Sequence, residues 1–100
     1  MSDMPSTPIG TAVVSWQDSR GLHIRVYSTD GHVVTERCND TGGPGWTTGS
    51  FNAPGSDVSG ICWQDSAGVH IRVYATAADG TTEWCNDSGT GWQKGGYSAS

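Results

Sequence analysis

The sequence predicts an all-β protein made of two copies of one four-stranded unit, and three observations carry that prediction. Trp16-Gln-Asp-Ser-Arg-Gly-Leu-His-Ile-Arg-Val-Tyr27 returns as Trp63-Gln-Asp-Ser-Ala-Gly-Val-His-Ile-Arg-Val-Tyr74, with changes only at Arg20/Ala67 and Leu22/Val69. The offset of 47 residues (Trp16 to Trp63) persists through Thr35/Thr82, Glu36/Glu83, Cys38/Cys85, Asn39/Asn86 and Asp40/Asp87, then becomes 46 at Trp46/Trp92, Gly49/Gly95 and Phe51/Tyr97. No segment carries a helical 3.6-residue period. Four short strands per unit, a period in the forties and Trp and Gly at fixed places together form the pattern of a β-propeller blade.

Along the chain, residues 1–10 form a Pro-, Ser- and Thr-rich lead outside the repeat, expected to be flexible at its tip. Residues 11–56 make the first expected blade, with strands over about 11–16, 22–29, 32–38 and 46–51. Residues 57–100 make the second, with strands over about 57–63, 69–76, 81–85 and 91–97. Asp18-Ser19-Arg20-Gly21, Asp30-Gly31, Asn39 to Gly45 and Asn52-Ala53-Pro54-Gly55 supply the turns. Alternation in 22–27 sets Leu22, Ile24 and Val26 on one face and His23, Arg25 and Tyr27 on the other. A two-residue turn at Asp30-Gly31 places Arg25 directly across from Glu36. Arg72 and Glu83 keep the same separation, while the displaced Asp79-Gly80 predicts a longer loop in that hairpin.

The 100 residues include 15 Gly and only 34% hydrophobic residues, a lean supply for a core. Five Lys+Arg against ten Asp+Glu give a net charge of −5, so no basic stripe is present to meet nucleic acid or anionic lipid. No apolar run reaches the ~18 residues of a spanning helix, and Met1-Ser2-Asp3 does not open a signal peptide. The expectation is a soluble chain made in the cytosol, without membrane insertion, reaching any outside target by a non-classical route or at the cell surface. Cys38, Cys62 and Cys85 have no C-x-x-C spacing and read as core thiols beside strands, with one disulfide left open. His23 and His70 lack a third ligand at a recognisable spacing, so neither a metal nor another cofactor is expected.

Two blades alone leave two faces wet, which implies self-assembly: propellers close with about four to eight blades, so two, three or four chains would serve. In such a ring the repeated Arg25/Glu36 and Arg72/Glu83 doublets line clefts between blades. A guanidinium fork of donors beside a carboxylate of acceptors matches vicinal hydroxyls, and Trp46 and Trp92 offer flat walls for sugar C–H groups. The same doublets also read as plain cross-strand ion pairs of under ~1 kcal/mol. A glycosidase using Glu36 with Asp40 or Asp87 is disfavoured, because an arginine opposite each glutamate keeps it ionised. A structural or protein-interaction propeller is the remaining alternative. Asn39-Asp-Thr41 and Asn86-Asp-Ser88 fit the glycosylation acceptor pattern but read as turn or ligand residues, since no secretion is expected through a signal peptide.

The stretches His23-Ile-Arg-Val-Tyr27, Thr35-Glu-Arg-Cys38, Gly49-Ser-Phe-Asn52, His70-Ile-Arg-Val-Tyr74, Thr82-Glu-Trp-Cys85 and Gly91-Trp-Gln-Lys-Gly95 are similar to those of the fucose-binding lectins typified by the orange peel fungus (Aleuria) lectin. The chain especially resembles their short two-blade bacterial members from Ralstonia and Burkholderia. The resemblance implies a homotrimer closing a six-bladed propeller that binds L-fucose and fucosylated oligosaccharides and glycoconjugates without catalysis. It implies one site within the chain, from Arg25, Glu36, Ser50, Asn86 and Trp92, and one at each junction, from Arg72, Glu83 and Gly96 with Asn39 and Trp46 of the adjacent chain. Asn39 and Asn86 stand where the bacterial relatives have a tryptophan, which leaves a donor but removes a ring.

Overall fold

A computed structural model describes residues 7–100. The first six residues of the expected lead lie outside the described residues. In chain order the strands are β1 (Gly10–Asp18), β2 (Gly21–Thr29), β3 (Val33–Asp40), β4 (Thr47–Pro54), β5 (Asp57–Asp65), β6 (Gly68–Ala77), β7 (Gly80–Asp87) and β8 (Trp92–Ala99). They form two four-stranded antiparallel sheets, β1-β2-β3-β4 and β5-β6-β7-β8, so each copy of the repeat folds as one meander. Among the described residues no helix is long and apolar enough to cross a membrane.

Two details of the hairpins differ from the sequence expectation. Arg25 lies across from Cys38, not Glu36, and Tyr27 takes the position across from Glu36. Asp30-Gly31 is not a two-residue turn, because the ladder stops at Thr29↔Val34 and the Asp30 carboxylate instead accepts from the His32 and Val33 amides. The shift is two residues, so every side chain keeps its face while each cross-strand partner changes. The second hairpin is the tighter one, contrary to the longer loop expected there. Its ladder runs one pair further, to Ala77↔Gly80, leaving only Ala78 and Asp79 in the turn. Arg72 accordingly pairs with Cys85 and Tyr74 with Glu83, as in the first copy.

A bulge breaks the β3–β4 ladder between Thr35↔Asn52 and Arg37↔Thr48, so Glu36 alone faces Gly49, Ser50 and Phe51. The same irregularity sets Glu83 against Gly95, Gly96 and Tyr97. Only glycine fits at the first bulge position: a Cβ on Gly49 would run into Glu36 Oε1, and one on Gly95 into Glu83 Oε1. Each bulge is thus a slot shaped around a carboxylate.

The two sheets pack face to face. The first contributes Val14, Tyr27, Val34, Phe51 and Ala53 to the core, and the second contributes Val58, Ile71, Val73 and Ala75. Phe51 meets Trp92 edge-on at 4.7 Å between ring centres, and Tyr27 meets both rings at 5.6 and 6.0 Å, a set of aromatic contacts with the preferred tilted geometry. Two side-chain bonds at the inner edges tie β5 to β1: Gln64 Nε2 donates to Gln17 O at 2.7 Å and Cys62 Sγ to Ser15 O at 3.1 Å.

Gly49→Ala is expected to lower stability by about 1–3 kcal/mol, since the carboxylate it strikes is buried. Gly96→Ala, where a Cβ meets nothing within 4 Å, should stay within about 0.5 kcal/mol of the parent. Urea denaturation of the two variants measures the contrast, and equal losses would contradict the slot.

Candidate functional site

A cleft of about 750 Å³ opens between the two sheets, within the range of small-ligand sites. Arg25, Glu36 and Ser50 reach it from the first sheet and Asn86 from the second. Its floor is set by β2, where His23, Arg25 and Tyr27 alternate onto the covered face.

Four charged groups run in sequence along the wall. His23 Nε2 is 2.9 Å from Asp18 Oδ1, and His23 Nδ1 is 2.6 Å from Asp40 Oδ1. Asp40 in turn accepts from Arg25 Nη1 at 2.9 Å and from Nη2 at 3.4 Å. A neutral imidazole donates from only one nitrogen, so a ring held between two carboxylates is the imidazolium. The hydrogen bond to Asp18, then that to Asp40, pushes the His23 pKa above its ordinary value against the opposing effect of burial. Burial raises Asp40, but the hydrogen bonds from Arg25 and His23 outweigh it and hold the carboxyl below the usual range. Trp16 backs the array, stacking on His23 at 5.1 Å with the Arg25 guanidinium over its ring at 5.0 Å. Alternating signs leave these four groups with no net charge.

Glu36 stands beside the array rather than in it. Its Oε2 accepts from Tyr27 OH at 2.7 Å and its Oε1 from the Phe51 amide at 3.3 Å in the bulge. Burial, then this bond to Glu36, raises the Tyr27 pKa far above that of a free phenol. The cross-strand Arg25–Glu36 ion pair expected from the sequence is therefore replaced by Arg25–Asp40.

The second copy repeats the construction. His70 bridges Asp65 at 2.9 Å and Asp87 at 2.7 Å, Arg72 bonds Asp87 at 2.8 Å, and Trp63 stacks on His70. Glu83 accepts from Tyr74 OH at 2.7 Å and the Tyr97 amide at 3.1 Å, which hold its carboxyl below the usual range. Here the face is uncovered.

Of the first set named from the sequence, Arg25, Glu36, Ser50 and Asn86 come together around the cleft. Trp92 is packed against Tyr27 and Phe51 instead of lining the cleft, with its indole N–H buried and unpartnered, as is Asn86 Oδ1. Of the second set, Arg72, Glu83 and Gly96 share the uncovered side of the second sheet, whereas Asn39 and the exposed Trp46 belong to the outer side of the first. One chain does not bring these five together. Sequence reasoning missed Asp18, His23 and Asp40 as one unit. Their exact recurrence as Asp65, His70 and Asp87 was the available signal, hidden by the register error that moved Asp40 away from His23.

Among the described residues no group of His, Cys, Asp and Glu is arranged to hold a metal ion. The three cysteines are free thiols, and burial pushes the pKa of each upward. Compared with known proteins, the chain matches no family model and no curated sequence.

Stability should vary with pH in a bell. His23 and His70 have raised folded pKa values, so their contribution is full below the unfolded value near 6.5 and is lost as pH rises through the folded one. Asp18, Asp40, Asp65 and Asp87 have lowered values, so theirs is full above the unfolded value near 3.9 and is lost as acid protonates them. Thermal unfolding across pH should therefore peak between about pH 4 and 6.5, and His23→Asn with His70→Asn should flatten the alkaline side.

Proposed function

We propose that the protein is a non-catalytic, multivalent fucose-binding lectin whose two sheets are blades of a ring closed by three chains. The sugar reading is carried by one observation: the cleft gathers donors and acceptors on a wall whose charges cancel. Arg25, Glu36, Ser50 and Asn86 converge there, a surface suited to a neutral polyhydroxylated ligand rather than an ion. The choice of fucose among sugars rests on the resemblance of the repeat motifs to the Aleuria-type lectins.

Exposed apolar groups support the ring. On the uncovered side of the second sheet stand Ile61, Trp63 and Tyr97; on the outer side of the first stand Val13, Leu22 and Trp46. Nearly every repeat counterpart is buried or half-buried between the sheets. Val14 is 5% exposed where Ile61 is 54%, and Phe51 is 3% exposed where Tyr97 is 52%. Trp92 packs on Tyr27 and Phe51, so Trp46 of one chain has a matching seat on Tyr74 and Tyr97 of the next. Contacts of this head-to-tail kind close rings.

Light scattering should give the mass of three chains, and Trp46→Ala should shift it toward one chain while leaving the chain folded. A single-chain mass for the parent would refute the ring. Calorimetry with methyl α-fucoside should show two sites per chain, Arg25→Ala removing one class and Arg72→Ala the other. No heat at millimolar sugar would sink the lectin reading.

A further inference from the structure

The arginine at the centre of each array does not hold itself in place. Arg25 Nη1 spends both its hydrogens inside the sheet, on Ile24 O at 2.9 Å and Asp40 Oδ1 at 2.9 Å. Arg72 Nη1 does the same, on Ile71 O at 3.0 Å and Asp87 Oδ1 at 2.8 Å. A guanidinium is a rigid planar fork, so anchoring one nitrogen twice fixes the direction of the whole plane. The Nε edge and an Nη2 hydrogen then remain for a ligand. Asp40 itself sits at the end of β3 with 40% of its side chain exposed, and what fixes it on the other side is His23, pinned across its ring to Asp18 at the end of β1. The same chain of supports runs Asp65, His70, Asp87, Arg72.

We propose that Asp40 and Asp87 are positioning residues for ligand binding: each orients its arginine fork toward the cleft, and the doubly hydrogen-bonded histidine beside it keeps the aspartate in that pose. This rests on the reading of the cleft as a saccharide site, but names residues that touch no sugar.

The array makes binding depend on pH in a defined direction. His23 is faced by Asp18 and Asp40 at its nitrogens, by Arg25 alongside it over Trp16, and by Arg20 and Glu36 elsewhere in the cleft wall; the second sheet's wall opposite offers Ala67, Val69, Ile71, Asn86 and Ser88, none of them charged. While His23 is protonated, two cations balance two carboxylates. Once it loses the proton, one of its two carboxylates faces a lone pair, so the support that keeps Asp40 in its pose weakens and the direction of the Arg25 fork is no longer fixed. His70 stands in the same relation to Asp65, Asp87, Arg72 and Glu83.

The two classes of site are controls for each other. Asp40→Asn should weaken methyl α-fucoside about tenfold at the class lost in Arg25→Ala, the equivalent of one charge-assisted hydrogen bond, and leave the other class as it was. Asp87→Asn should do the reverse. A merely structural role would weaken both classes together or neither, and either result overturns the proposal. Should Asp40→Asn fail to fold, the parent decides alone: affinity should hold from pH 5 to 6 and fall about tenfold by pH 9, and a flat profile overturns the proposal. A ligand-free readout separates this inference from the saccharide reading. In nitrogen NMR, rotation of the Arg25 guanidinium should be hindered in the parent and freed in Asp40→Asn. If the parent binds no sugar, the lectin reading falls; unchanged rotation in the variant overturns the positioning role.

Discussion

The burial of one sheet's aromatic face by the back of the next is the contact on which everything else in the chain depends. Tyr27 and Phe51 are closed off only because Trp92, Ile71 and Val73 of the second sheet cover them. That cover excludes water from Glu36, and a buried carboxylate must find donors. It finds the Tyr27 hydroxyl and the amide freed by the β4 bulge. Packing, bulge and polar site are therefore one solution: glycine at position 49 admits the carboxylate, the bulge turns an amide toward it, and the aromatic cluster beside it supplies a hydroxyl.

In so acidic a chain the few cations are placed with economy. Two of the five lysines and arginines, Arg25 and Arg72, each stand on a tryptophan face and against an aspartate. An isolated pair of that kind at a surface contributes little, because water screens it and side-chain entropy opposes it. Here the histidine extends the pair into four alternating groups, and the indole removes one side from solvent. His23 also crosses the sheet: its partners sit at the end of β1 and the end of β3, so one ring ties three strands at the rim of the cleft.

Strand number, strand order of appearance and the inward face of β2 were legible because they follow from duplication and a two-residue period, which survive any error in register. Cross-strand partners were not, because register depends on turn geometry. Asp30 bonds the His32 and Val33 amides and makes a wider turn than an Asp-Gly pair suggests, and that alone moved Arg25 from Glu36 to Cys38. The bulge was equally hidden, since nothing in Gly49-Ser50-Phe51 says that three residues face one. Of the candidate site, the repeat and the resemblance pointed to Arg25, Glu36, Ser50 and Asn86, and the structure brings these four around one cleft. The position of Trp92 was not legible: an indole beside Phe51 gains more from burial in the aromatic cluster than a local pattern reveals.

Where the two copies differ, the differences are spatially complementary. Between the sheets, Val14 packs against Gly60, where an added Cβ would already stand 3.4 Å from a Val14 methyl. The repeat counterparts of that pair are Ile61 and Val13, both exposed, and in the proposed ring they would meet each other across the junction. The internal contact is thus small against medium and the junction medium against large, so the two interfaces of one ring would not be interchangeable. In that ring, a chain with glycine at both positions would lose apolar burial at the junction, where three separate chains would meet an association entropy that the internal contact does not. In the proposed ring the bulkier pair would stand where the added burial is needed.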